Sequence, residues 1–207
     1  SIKLNNGIKL SGSLGFNTIY YQANGLPERR DPFNWFFTGN LNVNIFGYNT
    51  PFSFSYSNVN RSFSQPFNQF SFSPRYKWVK TYIGYNSMNF SQYSLCGHVF
   101  LGGGIELTPK NWRLSAMYGR LRKPVAYDFD DSLAAPLETS YKRMGMGVKA
   151  GYDNGNDRLQ MIVFHAYDDK NSIPFAPPAE MLTPKENLVI GGLGRKKIGK
   201  HFFLEAE

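Results

Sequence analysis

Cysteine is all but missing from this chain of 207 residues: Cys96 stands alone, so no internal disulfide framework holds the fold, and the redox compartment stays open. Charge is thin as well, at 18% Asp, Glu, Lys and Arg against roughly 25% in an ordinary soluble domain. No apolar run approaches the roughly 18–20 residues of a membrane-spanning helix. Mean hydropathy is −0.39, which does not exclude a transmembrane β-barrel, because apolar and polar faces average out along each strand. Ala, Leu, Glu and Lys do not dominate, which argues against a helical bundle or coiled coil.

What is abundant is aromatic. Phe and Tyr number 18 and 13 beside 20 Gly, a mixture suited to pleated, closely packed backbone. The net charge of +8 raises nucleic acid or acidic lipid as partners, but the basic residues are scattered and the only dense run is Arg195-Lys196-Lys197. Ser1 rather than Met opens the chain, as expected of a processed or trimmed sequence.

Alternation of period two is the main signal. Leu41, Val43 and Ile45 alternate with Asn40, Asn42 and Asn44, and Phe52, Phe54 and Tyr56 with Ser53, Ser55 and Ser57. Trp112, Leu114, Ala116 and Tyr118 alternate with Arg113, Ser115, Met117 and Gly119. Met144, Met146, Val148 and Ala150 do so with Arg143, Gly145, Gly147 and Lys149. Successive side chains of a strand point to opposite faces, so each segment carries one greasy and one polar or small face. The whole chain reads as about eleven strands near 8–22, 33–46, 50–58, 69–78, 80–87, 97–108, 112–120, 141–152, 157–167, 187–195 and 200–207. Several are long enough to cross a bilayer at a tilt, which takes about 9–11 residues.

The connections alternate long and short without exception. Those at 23–32, 59–68, 87–96, 121–140 and 168–186 are long; those at 47–49, near Val79, at 109–111, at the Asn-Gly turn 153–156 and at 196–199 are short. Outer-membrane barrels sort their connections in this way, with tight turns at one rim and extended loops at the other. A Greek-key sandwich has no reason to do so. The expected fold is therefore all-β, a single antiparallel transmembrane β-barrel domain over 1–207. Barrels close on an even number of strands, so an odd count of eleven predicts that the chain is the N-terminal part of a longer barrel, or else that the count is off by one.

In such a barrel the expected lumen face includes Arg75, Lys77, Arg113, Arg143 and Lys149 with the Asn and Ser stripes. Leu41, Val43, Ile45, Phe52, Phe54, Tyr76, Trp78, Leu114, Ala116, Met146, Val148 and Val163 face lipid. Tyr and Trp near strand ends, among them Tyr20, Trp35, Trp78, Trp112 and Tyr152, fit two aromatic girdles. The triplet Gly102-Gly103-Gly104 inside an apolar strand is best read as room for bulky neighbours or a bend.

Enzymatic chemistry finds little support. His98, His165 and His201 lack metal-ligand spacing. Ser94 and Cys96 lie near His98, but residues four apart do not specify a nucleophile–base bond. Asp128, Asp130 and Asp131 form a weak candidate loop site for a hard cation such as Ca²⁺; without a fixed ligand pattern a solvated acidic tip is preferred. No metal or other cofactor is expected. In Arg75-Tyr76-Lys77-Trp78 the alternation puts charges and rings on opposite faces, so the rings cannot stack on bases that the charges clamp, and nucleic acid is not an expected partner. The sequons at Asn60 and Asn89 bear only on a eukaryotic secreted protein.

Several segments resemble one family. Trp35-Phe36-Phe37-Thr38-Gly39-Asn40-Leu41-Asn42-Val43-Asn44-Ile45-Phe46-Gly47, Ser64-Gln65-Pro66-Phe67-Asn68-Gln69-Phe70, Gly97-His98-Val99-Phe100-Leu101-Gly102-Gly103-Gly104, Tyr141-Lys142-Arg143-Met144-Gly145 and Pro184-Lys185-Glu186-Asn187-Leu188-Val189 are similar to large outer-membrane β-barrel proteins of Bacteroidota-type bacteria. The resemblance spans roughly 30–207 and implies a cell-surface barrel without catalytic residues, engaged in nutrient uptake, protein secretion or gliding. The resulting expectation is a barrel in the bacterial outer membrane, acting in transport or envelope assembly as a pore with a basic lumen. Its partners would be outer-membrane lipid and envelope proteins gripped by loops 121–140 and 168–186. A docking or scaffold barrel is the alternative, and a soluble β-sandwich adhesin or lectin the alternative from another class.

Overall fold

The computed structural model describes residues 7–22, 32–59, 68–126, 139–174, 182–199 and 202–207, and the backbone of 2–5. Every described element is a strand: β1 (Ile2–Asn5), β2 (Ile8–Tyr20), β3 (Phe33–Ile45), β4 (Tyr48–Ser57), β5 (Gln69–Phe72), β6 (Arg75–Tyr76), β7 (Val79–Asn89), β8 (Cys96–Leu107), β9 (Trp112–Arg122), β10 (Lys142–Asp153), β11 (Arg158–Asp169), β12 (Glu186–Ile198) and β13 (Phe202–Ala206). They form one antiparallel sheet in which each strand pairs with its sequence neighbours. β5 and β6 both lie between β4 and β7 and are two halves of one strand position. The break falls at Ser73-Pro74, where proline has no N–H to give the ladder. Pairing resumes around it: Ser73 N donates to Pro51 O at 3.0 Å, and Thr81 N to Pro74 O at 3.0 Å.

The sheet thus has twelve strand positions, not the eleven expected, because a four-residue strand, β1, precedes the first predicted one. The odd count behind the parity expectation does not hold. Nor do the described residues close a cylinder, since β1 and β13 each pair with a single neighbour.

The sorting of connections is present in three dimensions. Because the strands run antiparallel in sequence order, all the short links fall on one rim and all the long ones on the other. Seven of the nine left-handed backbone positions among the described residues gather at the short-link rim: Gly7 (φ 123°), Phe46 and Gly47 (47° and 89°), Lys77 (50°), Lys110 (53°), Gly155 (88°) and Gly199 (67°); the other two are Gly84 (88°) within β7 and Gly97 (64°) at the start of β8. Tight hairpins need such φ values to match the twist of the paired strands. At Asn154-Gly155 the Asn154 Oδ1 accepts from Asn156 N at 3.0 Å and Asp157 N at 2.7 Å, fixing the turn.

Candidate functional site

Register decides which side chains share a face. One row crosses ten strands as Gly12, Leu41, Phe52, Phe72, Ile83, Gly103, Tyr118, Met146, His165 and Leu188. A parallel row on the same face runs Thr81, Ile105, Ala116, Val148, Val163, Ile190. Side chains of this outward face are exposed although apolar: Val148 at 55%, Met161 at 66%, Ile190 at 69% and Phe16 at 65%. Trp112 and Tyr152 meet edge to face at 5.9 Å by the short-link rim, where Tyr48 also stacks on Tyr76 at 4.0 Å. So large an exposed apolar surface is foreign to a soluble monomer.

Charges on the outward face lie toward the strand ends, except for His165 in the middle of β11. Lys142 pairs with Asp169 at 2.6 Å, His165 with Glu186 at 2.8 Å and Lys196 with Asp157 at 3.3 Å. Arg120 also projects outward, opposite Leu101 and Met144, and donates to the Tyr85 hydroxyl at 3.0 Å. It was missed in the sequence, where the alternation was followed only as far as Gly119.

The inward face is of two kinds. Its central row reads Ser13, Asn40, Ser53, Ser71, Gly84, Gly102, Gly119, Gly145, Ala166, Asn187: polar over β2–β5, then glycine and alanine. Over β2–β5 the Ser and Asn side chains line a cleft of about 370 Å³, and Ser71 and Ser73 both donate to Asn86 Oδ1, at 2.7 and 2.8 Å. Over β7–β11 the small residues make room for an apolar cluster of Tyr82, Met88, Phe90, Leu95, Phe100, Met117, Leu121, Ile162 and Phe164. A Cβ on Gly104 would lie 2.5 Å from Met88 Sδ, and one on Gly147 2.6 Å from the Phe90 ring. Phe100 and Ile162 are each 1% exposed, and burying such a side chain contributes about 1.5–3 kcal/mol.

Part of this filling comes from a long connection. Segment 90–95 folds inward rather than away from the rim, closed by Phe90 N donating to Leu95 O at 2.8 Å. The ammonium of Lys149, on β10, crosses the concave face and donates to the carbonyls of Asn89 (2.7 Å) and Phe90 (3.3 Å).

The five basic residues expected to line a lumen are thus dispersed. Arg143 faces inward and forms a two-point ion pair with Asp168, at 2.8 and 3.0 Å. Arg113 turns back to the carbonyls of Lys110 and Trp112, at 2.9 and 3.0 Å. Arg75 shares the inward register of Asn49 and Lys80 at the short-link rim. Lys77 sits in the turn itself, its Nζ 5.2 Å from the centre of the Tyr76 ring. The structure therefore does not gather these charges into one path. Other inward charges are also engaged: Arg158 with Asp153 at 3.1 Å, Arg195 with Glu205 at 3.2 Å, and Glu106 accepting from the Tyr82 hydroxyl at 2.8 Å.

At the long-loop rim a pocket of about 310 Å³ takes in Ser94, Cys96, His98, Arg122 and Arg143. Ser94 Oγ is hydrogen-bonded to Ser91 Oγ (2.9 Å), and His98 Nε2 contacts Leu121 O (3.1 Å). Among the described residues no group of His, Cys, Asp or Glu is arranged to hold a metal. Asp128, Asp130, Asp131 and His201 lie outside the described residues, as do 127–138 and 175–181 of the two expected docking loops. Comparison with protein-family models, curated proteins and solved structures gives no match to this chain.

Proposed function

We propose that the chain forms the wall of an integral outer-membrane β-barrel serving transport or envelope assembly. The observation that carries this reading is the outward face, apolar across most of the sheet, with its Lys and Arg side chains toward the strand ends and His165 alone mid-strand among the described residues. A charge at the bilayer midplane costs about 2–4 kcal/mol on such a face, and little near the interfaces. Nine strands of 10–13 residues supply the span.

Within that class the inward face favours a docking or scaffold barrel over an open anion pore. Apolar side chains and segment 90–95 fill the concavity of β7–β11, and the basic side chains there are engaged by carboxylates or carbonyls. The Ser/Asn cleft of β2–β5 is what supports the second reading, a narrow path for uncharged polar solutes.

Fractionation with a heat-modifiability gel tests the class. A protein that needs detergent and migrates faster unboiled supports the barrel. One that is soluble without detergent and runs the same either way overturns it, in favour of a sandwich adhesin. Planar-bilayer conductance then separates the roles: a scaffold gives closed or rare openings, a pore steady ones.

A further inference from the structure

The outward belt has one marked notch. Gly103 presents no side chain there, and a Cβ built on it would find nothing closer than Tyr82 O at 3.7 Å. With the small Ala116 beside it, the surface sinks into a groove of about 480 Å³ walled by Ile105, Tyr118, Met146, Val148 and Val163. The groove is almost wholly apolar, with His165 at its edge.

The polar end of the groove is asymmetric. On the β11 side His165 is engaged by Glu186 and stacked at 5.4 Å on Tyr167. On the β8–β9 side stands Arg120, the next outward residue after Tyr118, roughly 7 Å further along the strand toward the long-loop rim. The outward strand cations Lys142, His165 and Lys196 each have a carboxylate; Arg120, like the exposed Arg122 that ends β9, has no acidic partner among the described residues. Arg120 lies one row beyond the residues that line the groove and reaches over Leu101 to the Tyr85 hydroxyl; a guanidinium at that distance complements an anion tied to a hydrocarbon chain, and its planar fork suits phosphate oxygens.

We infer that this notch binds one acyl chain of a net-anionic phospholipid, with Arg120 holding a phosphate whose charge no headgroup cation offsets. The inference rests on the proposed membrane location. It adds a fixed lipid, seated with its headgroup toward the long-loop rim, to a surface that otherwise meets lipid without selection.

The full chain, purified in detergent, would be offered phosphatidylglycerol or phosphatidylcholine of identical acyl chains, and bound lipid counted by native mass spectrometry. The expected result is one retained phosphatidylglycerol, favoured about fivefold over phosphatidylcholine, the factor set by one cation near the surface. Arg120→Gln should erase the preference, whereas Lys142→Gln should keep it. Gly103→Leu, which fills open space, should lower retention of both lipids. Equal retention of the two lipids by the wild type overturns the inference, as does a homodimer that Gly103→Leu dissociates. A chain that needs no detergent sinks the membrane reading itself, so the two failures are told apart.

Discussion

Gly102 and Gly119 face each other across β8 and β9 so closely that a Cβ on Gly102 would stand 2.5 Å from the Gly119 Cα, and one on Gly119 3.0 Å from the Gly102 Cα. The pair belongs to the inward row that continues into Gly84 and Gly145, beneath Phe100 and Leu121. Phe100 and Leu121 pack against this row in the space that side chains would otherwise take.

Gly102→Val should therefore cost about 1–3 kcal/mol, as overpacking of a tight interior does. Gly103→Val, one position on and facing the opposite way into open space, is the matched control and should leave stability nearly unchanged. The temperature at which the fast-migrating unboiled band disappears reads both; equal shifts for the two variants would contradict the tight packing at Gly102.

Arg143 and Asp168 supply the second prediction. Asp168 also accepts from Lys185 N at 2.9 Å, and its side chain is only 10% exposed, so it anchors the far end of the long connection between β11 and β12 as well as Arg143. Asp168→Asn leaves the guanidinium without its two-point partner and should destabilise by about 1–3 kcal/mol. In a double-mutant cycle with Arg143→Met the coupling should be about 0.5–3 kcal/mol. Additive single effects would show that the pair contributes no more than a surface contact.

Lys149 tells against a free lumen charge. Its ammonium holds two carbonyls of the segment that closes the concave face, so Lys149→Met should raise amide hydrogen exchange across 89–95 while barely altering any anion preference in conductance. A large selectivity change with unchanged exchange would restore the basic-pore reading.

The strands and their sorted connections were legible because period-two alternation and turn chemistry are local signals. The outward belt was legible for the same reason, from Leu41 to Val163. Two features were not. Segment 90–95 packs inward through contacts with β10 and β11, and nothing in its own residues announces partners some sixty positions away. The apolar half of the inward face was hidden in plain view: Met117 falls between Ser115 and Gly119 on the supposedly polar face, and Met161-Ile162-Val163-Phe164 is an unbroken apolar run, the mark of a strand covered on both sides. Parity puts Arg75, Arg113, Arg143 and Lys149 on one face of the sheet, yet it carries no information on what each guanidinium or ammonium reaches, or that Lys77 falls in a turn. The glycine row needed register, which joins residues from β7 to β10.

Depth along one strand separates a membrane wall from a soluble sheet. Val148 and Tyr152 both lie on the outward face of β10 and both are exposed, at 55% and 38%. Val148 sits mid-strand; Tyr152 is one residue from the turn, in edge-to-face contact with Trp112. If the face meets solvent, arginine at either position is a surface substitution worth no more than about 0.5 kcal/mol. If it meets hydrocarbon, Val148→Arg should cost about 2–4 kcal/mol, while Tyr152→Arg, near the interface, should cost about 0–1 kcal/mol beyond its lost ring contact. The readout is the fraction of each variant that inserts into lipid vesicles and gains the fast-migrating form. A strong loss for Val148→Arg with a mild one for Tyr152→Arg supports the lipid-facing wall. Two small and equal effects would place the same face in water, and the exposed belt would then need a protein partner to cover it.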